Sequence, residues 1–447
     1  MANIAIIGAG SAVFSMSIVR DLCITPGLAG SRVTFMDIDQ ARLDSIHALA
    51  TRYAAEMGVT LDLHKTTDRR AAMQGADAVV NAALVAGHHR LRAGWEVAAP
   101  LGYRWGGSLH IMHDEAYWIN FFQYQLFEGI IEDLLEICPN AWYIQSANPV
   151  KAGITYLARR YPQAKIVGLC HGYGGVYNIA HTLGLDKGKL DFDVPGVNHF
   201  IWLTRMTHDG QDAMPLIDAW IREQSAAAWA SGRGYGELNP KKCDLYQRIG
   251  AFPIGDTAGD GGGSWGWEYH TDDATEARWQ EQPGRFWNGF FTGGEHEVTQ
   301  IARIGADPAT RVTEHFPPEP SGESIVPLIE ALTTDATHRI LVNIANRGSL
   351  LPGVPEDFQA EVWADVDRHG IHGRPSGTLP PAALAYLQRD CVAPTELELA
   401  AYQHHDRKLL LELVMMDPWT RSVAQARALL DAIDALPWHD TLRAHYR

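Results

Sequence analysis

Along the first third of the chain, short apolar runs alternate with longer stretches whose apolar positions recur every three or four residues. Asn3–Ile7, Arg32–Met36 and residues 78–83, 142–146 and 165–169 are brief, β-branched and bounded by Gly, Asp or Asn, which predicts buried strands. Gln40–Met57 and residues 114–137 carry the helical period. Alternation of this kind implies right-handed crossovers, a doubly wound parallel sheet, and a ligand at the carboxyl ends of the strands. After about Asp193 the pattern loosens, with glycines clustered over 259–266 and proline-rich loops at 316–320 and 377–381. Long amphipathic helices are predicted over 394–416 and 422–436. The expected organisation is α/β, with a doubly wound parallel sheet over residues 1–195 and an α+β domain over 196–447.

The opening strand ends in Gly8-Ala9-Gly10-Ser11, followed by a helix from about Ala12. Glycines at such a turn let the backbone approach a pyrophosphate, which the helix N-terminus then stabilises. The third glycine of the usual fingerprint is replaced by Val13. The next strand ends in Met36-Asp37-Ile38-Asp39, where an acid suits a ribose 2′-hydroxyl and repels a 2′-phosphate. Asp37 would equally suit a helix N-cap. Strand, glycine turn, helix, strand and acid in that order describe a Rossmann-type site for NAD, with Asn81 expected near the nicotinamide half.

Three further elements carry chemistry. Ser146-Ala147-Asn148-Pro149 and Gly168-Leu169-Cys170-His171-Gly172 end two of the strands, and Gly196-Val197-Asn198-His199 follows. Thiolate, imidazole and amide groups at strand ends can bind a borderline-soft divalent ion such as Mn²⁺, Zn²⁺ or Ni²⁺. Equally, a free buried Cys often only packs. Asp256, in Pro253-Ile254-Gly255-Asp256-Thr257, is placed either as a general base or as a turn-capping residue.

Composition then removes several classes of function. The 447 residues carry 37 Lys and Arg against 53 Asp and Glu, a net charge of −16 that disfavours nucleic acid and anionic membranes as partners. No apolar run approaches the ~20 residues of a membrane span. The N-terminus enters a strand directly rather than a signal peptide, and the five cysteines are unpatterned, so a reducing cytoplasm is expected. Seven of the fourteen Trp lie between Trp202 and Trp287. Trp265 and Trp267 follow closely after Asp256, where an aromatic face could stack on a ligand.

Over nearly its whole length the chain resembles glycoside hydrolase family 4, the NAD- and metal-dependent glycosidases. The resemblance is carried by GAGS at 8–11, MDID at 36–39, SANPV at 146–150, GLCHGYGGVY at 168–177, GVNHFIWL at 196–203 and PIGDT at 253–257. LVNIANRGSL at 341–350, DRKLLLE at 406–412 and DPWT at 417–420 extend it. The Cys-His-Gly form of the motif is similar to the branch acting on non-phosphorylated α-glycosides, including α-glucosidases and uronic-acid-specific enzymes.

The resemblance implies hydrolysis by C3 oxidation with NAD, C2 deprotonation, elimination, water addition and re-reduction. It implies Cys170 and His199 as ligands of Mn²⁺, or of another divalent ion such as Co²⁺ or Ni²⁺. Asp256 is then the base and His171 a further catalytic residue, Asn148, His171, Asn198 and the Trp265 ring hold the sugar, and Gly8, Gly10, Ser11, Asp37 and Asn81 hold NAD. A homodimer or homotetramer acting on a small glycoside is expected. Relatives carry an acid shortly after a Gly-Tyr, whereas Gly102-Tyr103 here leads to Ser108, so His110, His113 or Asp114 would have to give the leaving-group proton. The basic residue that relatives place after Gly-Asp-Thr is also missing. A plain NAD-dependent sugar or hydroxy-acid dehydrogenase and a non-catalytic NAD(H)-binding protein are the alternatives.

Overall fold

The computed structural model describes residues 1–85, 87–107, 116–232, 236–259, 265–307 and 309–447. Asp114 and its neighbours Ser108, His110 and His113 lie outside the described residues. The strands are β1 (Asn3–Ile7), β2 (Arg32–Met36), β3 (Asp62–Thr66), β4 (Ala78–Asn81), β5 (Trp142–Gln145), β6 (Lys165–Gly168), β7 (Leu190–Asp193) and β8 (Gly196–Val197). They continue as β9 (Phe200–Leu203), β10 (Arg205–His208), β11 (Gln211–Asp212), β12 (Phe252–Ile254), β13 (His338–Ala345), β14 (Gln359–Asp367) and β15 (Gly370–Gly373).

Among the described residues, twelve strands form one sheet in the order β12-β9-β8-β14-β13-β6-β5-β4-β1-β2-β3, with β15 paired to β14. The run from β3 to β6 is parallel, as the alternating pattern predicts. Beyond β6 every pairing is antiparallel, and the crossing point is the single register pair Asn343–Gly168. β7, β10 and β11 form a separate small sheet.

Period-2 alternation explains why both faces of the parallel half are covered. Ile4 and Ile6 pack with the helices α1 (Ala12–Cys23) and α2 (Gln40–Met57), while Ala5 and Ile7 face the Tyr117–Ile137 helix. That second layer is completed by the C-terminal helices, through Leu399, Leu410, Leu413, Leu429 and Ile433.

Where one helix is expected over 394–416, two form: Ala393–His404 and Arg407–Met415. His405 turns left-handed at φ 58, and Asp406 then caps the second helix by accepting from Lys408 N. β3, with the sequence Asp-Leu-His-Lys-Thr, is too polar to stand out by hydrophobic pattern. No described helix is long and apolar enough to cross a membrane.

Candidate active site

At the dinucleotide end, β1 runs into Gly8, whose φ of +82 turns the chain beneath α1. Gly10 N donates to Asp37 Oδ2 at 2.7 Å and Asp39 N to Asp37 Oδ1 at 2.9 Å. Asp39, not Asp37, caps α2, accepting from Ala41 N and Arg42 N. Asp37 is therefore spared the capping role and braces the glycine turn instead. Ser11 sits exposed at the start of α1 with no side-chain cap bond. A Cβ on Gly10 would lie 2.6 Å from Asp37 Oδ2. Gly10→Ala should therefore break the Asp37 brace and weaken NADH binding roughly ten- to a hundredfold in a fluorescence titration, since losing a part-buried hydrogen bond to a charged group costs about 1–3 kcal/mol.

Asn81 corrects the sequence-based expectation. It is fully buried at the end of β4, donating to Tyr143 OH at 2.8 Å and accepting from Ala83 N at 3.1 Å. Both ends of its amide are used inside the protein, so it holds the loop after β4 and presents nothing to a cofactor.

At the chemistry end, Cys170 follows β6 and its sulfur accepts from Gly172 N at 3.4 Å. The Asp256 turn packs directly on this one. Gly255 has φ +57, and a Cβ there would come within 2.7 Å of Gly172 O, so only glycine permits the two backbones to touch. Asp256 is 56% exposed, and its Oδ2 lies 3.6 Å from His199 Nε2. It does not cap the Gly255–Ala258 turn. His199 lies in the two-residue connection between β8 and β9 at φ 60, a left-handed conformation that costs a β-carbon-bearing residue on the order of 1–3 kcal/mol. Strain of this kind persists where a side chain must point a particular way, here toward Asp256.

Behind these groups lies a polar layer with no counterpart in the expected residues. Asn198 is fully buried, its N donating to Gln359 Oε1 at 2.9 Å and its Nδ2 to Glu361 Oε2 at 3.4 Å. Asn198 also hydrogen-bonds the Cys170 sulfur. Its expected contact with sugar is thus corrected, because it supports Cys170 from below and faces no open space. Burial, then the carboxylates of Glu361 and Asp256, push the Cys170 thiol well above its usual range.

Two buried lysines hold the Asp256 turn at both ends. Lys242 Nζ donates to Gly255 O at 2.8 Å and pairs with Glu237. Lys241 Nζ donates to Gly259 O at 2.9 Å and pairs with Glu281 at 2.5 Å, both side chains being almost inaccessible. His270 joins this cluster, 3.2 Å from Lys241 Nζ, and burial with the nearby Lys241 and Arg104 charges pushes it down to about 2, so it is neutral at working pH. Lys241→Met removes the cation opposite a buried carboxylate and is expected to cost roughly 3–5 kcal/mol, read as a lower urea midpoint.

His171 is exposed at the rim beside Cys170, and Asn148 is half-buried, its carbonyl accepting from Gln123 Nε2 at 2.6 Å. Trp265 departs from expectation. It is 4% exposed and packs edge-on against Phe200, Trp202 and Tyr386, so it belongs to the core and offers no ring face to a sugar. A cavity of about 330 Å³ lined by Arg205, Arg339, Arg374 and Trp363 also has Glu361 in its wall.

Among the described residues no group of three or more His, Cys, Asp or Glu side chains closes on one point as a metal cage. Cys170 and His199 nevertheless fit a divalent ion as a two-donor set of soft thiolate and imidazole, leaving positions open for substrate oxygens. For NAD, the cradle that a Cβ on Gly10 would fill, together with Asp37, is the matching observation.

A glycine turn after the first strand of a parallel sheet, with a thiol, an imidazole and a carboxylate gathered at strand ends of the same sheet, is the arrangement of a dinucleotide-dependent enzyme. Family models described as family 4 glycosyl hydrolase match residues 3–185, and its C-terminal domain residues 194–420. The chain belongs to glycoside hydrolase family 4. It is 24% identical to an α-galactosidase of Bacillus subtilis (strain 168), covering 98% of this chain and 97% of that protein. It is 25% identical to an α-glucosidase of Erwinia rhapontici over 99% of each. The fold matches a 6-phospho-α-glucosidase from gut microorganisms solved with NAD and Mn²⁺, with a TM-score of 0.79 and 19% identity over 97% of both chains.

Proposed function

We propose that the protein hydrolyses α-glycosides of a non-phosphorylated hexose or hexuronic acid, using NAD and a divalent cation such as Mn²⁺. The carrying observation is the convergence of Cys170, His199 and Asp256, brought about by the contact between the Gly172 and Gly255 backbones. The full-length relatives named α-galactosidase and α-glucosidase support the α-glycoside class. When bound, NAD⁺ supplies a hydride acceptor for the sugar C3 and the divalent ion a positive charge for the C2 and C3 oxygens.

The chain's own groups do the rest. Cys170 and His199 hold the ion, and Asp256, exposed on a turn clamped by two lysines, removes the C2 proton. His171 and Asn148 orient the sugar hydroxyls from the rim. All five cysteines are free, which suits a reducing cytoplasm where the Cys170 sulfur stays available. A homodimer or homotetramer is the working assembly.

The test is incubation with p-nitrophenyl α-glycosides, catalytic NAD⁺ and Mn²⁺ under reducing conditions. Nitrophenol release without net NADH is expected. Accumulating NADH from a free sugar or hydroxy acid would assign a dehydrogenase instead, and NADH binding without turnover on a broad panel would leave a binding protein.

A further inference from the structure

We propose that Glu361 is a positioning residue of the metal site: its buried carboxylate fixes the Asn198 amide against the Cys170 sulfur and strengthens the hold of Cys170 and His199 on a divalent cation. The inference rests on the reading of those two residues as metal donors.

The placement comes from the sheet. β14 sets Glu361 opposite Gly196 in β8, two residues before Asn198, so the carboxylate lies under the turn that carries Asn198 and His199. Glu361 is 1% exposed and Asn198 fully buried, so the protein groups around the amide bear directly on how it points. The amide has two N–H donors on one end and an oxygen on the other. A carboxylate only accepts, so Glu361 Oε2, 3.4 Å from Asn198 Nδ2, forces the NH₂ end toward itself. The same end then reaches the Cys170 sulfur as a donor, the arrangement that favours the ligating thiolate. Asn198 Oδ1 is left without a hydrogen-bond partner among the described residues, the cost of this orientation. Turned over, the amide would aim its oxygen at the sulfur and oppose the thiolate.

Glu361 is also a charged neighbour of the Cys170 sulfur, so its carboxylate adds to the negative charge that a cation bound there would offset. Partners that orient a ligating group in this way change metal affinity by about 10- to 100-fold when removed.

The probe is Co²⁺ titrated into the full chain without substrate, read by the thiolate-to-cobalt absorbance band, with NADH fluorescence as a check of the fold. Glu361→Gln should need at least about tenfold more Co²⁺ to reach half of the band, with NADH binding unchanged. Equal Co²⁺ affinity in Glu361→Gln and the parent overturns the proposal and leaves the metal reading standing. A parent that gives no thiolate band overturns both. If Glu361→Gln loses NADH binding and so fails to fold, Glu361→Asp, which keeps the charge but withdraws the carboxylate from Asn198, is titrated instead. Weakened Co²⁺ binding in that variant supports the proposal, and parental affinity overturns it.

Discussion

Cys170→Ser is expected to abolish metal-dependent glycoside hydrolysis, lowering kcat/KM by on the order of a thousandfold or more while NADH binding persists. The substitution is almost isosteric and keeps a group that can accept from Gly172 N and from the Asn198 amide. What it removes is a soft anionic donor. A serine hydroxyl stays protonated at any working pH, so His199 is left as the sole expected protein donor. A Lewis acid stabilising an enolate contributes several kcal/mol, and each 1.36 kcal/mol is about tenfold in rate. The check is a steady-state assay beside a Co²⁺ titration: the thiolate band should vanish together with activity. Retained activity in metal-depleted Cys170→Ser would remove the ligand assignment altogether.

Asp256→Asn is expected to lower kcat by about 10²- to 10⁴-fold, the usual contribution of a positioned general base. Asn preserves the size of the side chain, and the turn is held by Lys242 on Gly255 O and Lys241 on Gly259 O rather than by the carboxylate. A loss of rate therefore reports lost proton acceptance and not a lost turn. The sharper measurement is exchange: with parent enzyme in D₂O, the C2 hydrogen should wash out of the sugar, and in Asp256→Asn that washout should fall with kcat. Washout at the parental rate would place the base elsewhere.

The parallel half of the fold was legible in the sequence because its strands are buried on both faces and stand out as continuous apolar runs. β3 broke that rule, having a polar sequence at the sheet's edge. The helix expected over 394–416 hid a break because His405 adopts a left-handed turn that glycine usually marks. Cys170, His199 and Asp256 were singled out through motifs; in the structure Asp256 lies 3.6 Å from His199, and its turn packs on the one that follows Cys170.

Asn81, Asn198 and Trp265 differ from expectation for a common reason: closeness along the chain to a candidate site residue does not say which way a side chain faces, and all three are buried. Glu361 and the two lysines were missed for different reasons. Glu361 falls on the polar side of an alternating strand, with Gln359, Asp365 and Asp367, so the pattern hides its burial. Lys241-Lys242 did carry a signal, standing in the first turn of the Pro240–Ile249 helix, where the dipole disfavours cations.

The join between β6 and β13 has a consequence for how the chain acquires its structure. Gly168 waits for Asn343, so the outer edge of the parallel sheet stays open until about 175 further residues have been made, a separation that slows folding. The outer side of the Tyr117–Ile137 helix likewise gains its cover only with residues of the C-terminal helices, such as Tyr402 against Phe121 and Tyr124. During synthesis the nucleotide-binding half thus exposes both an unpaired strand and an apolar surface, the two features that invite aggregation. The pairing of Gly168 with Asn343 and the shared core thus tie the nucleotide-binding half to chain that is made last.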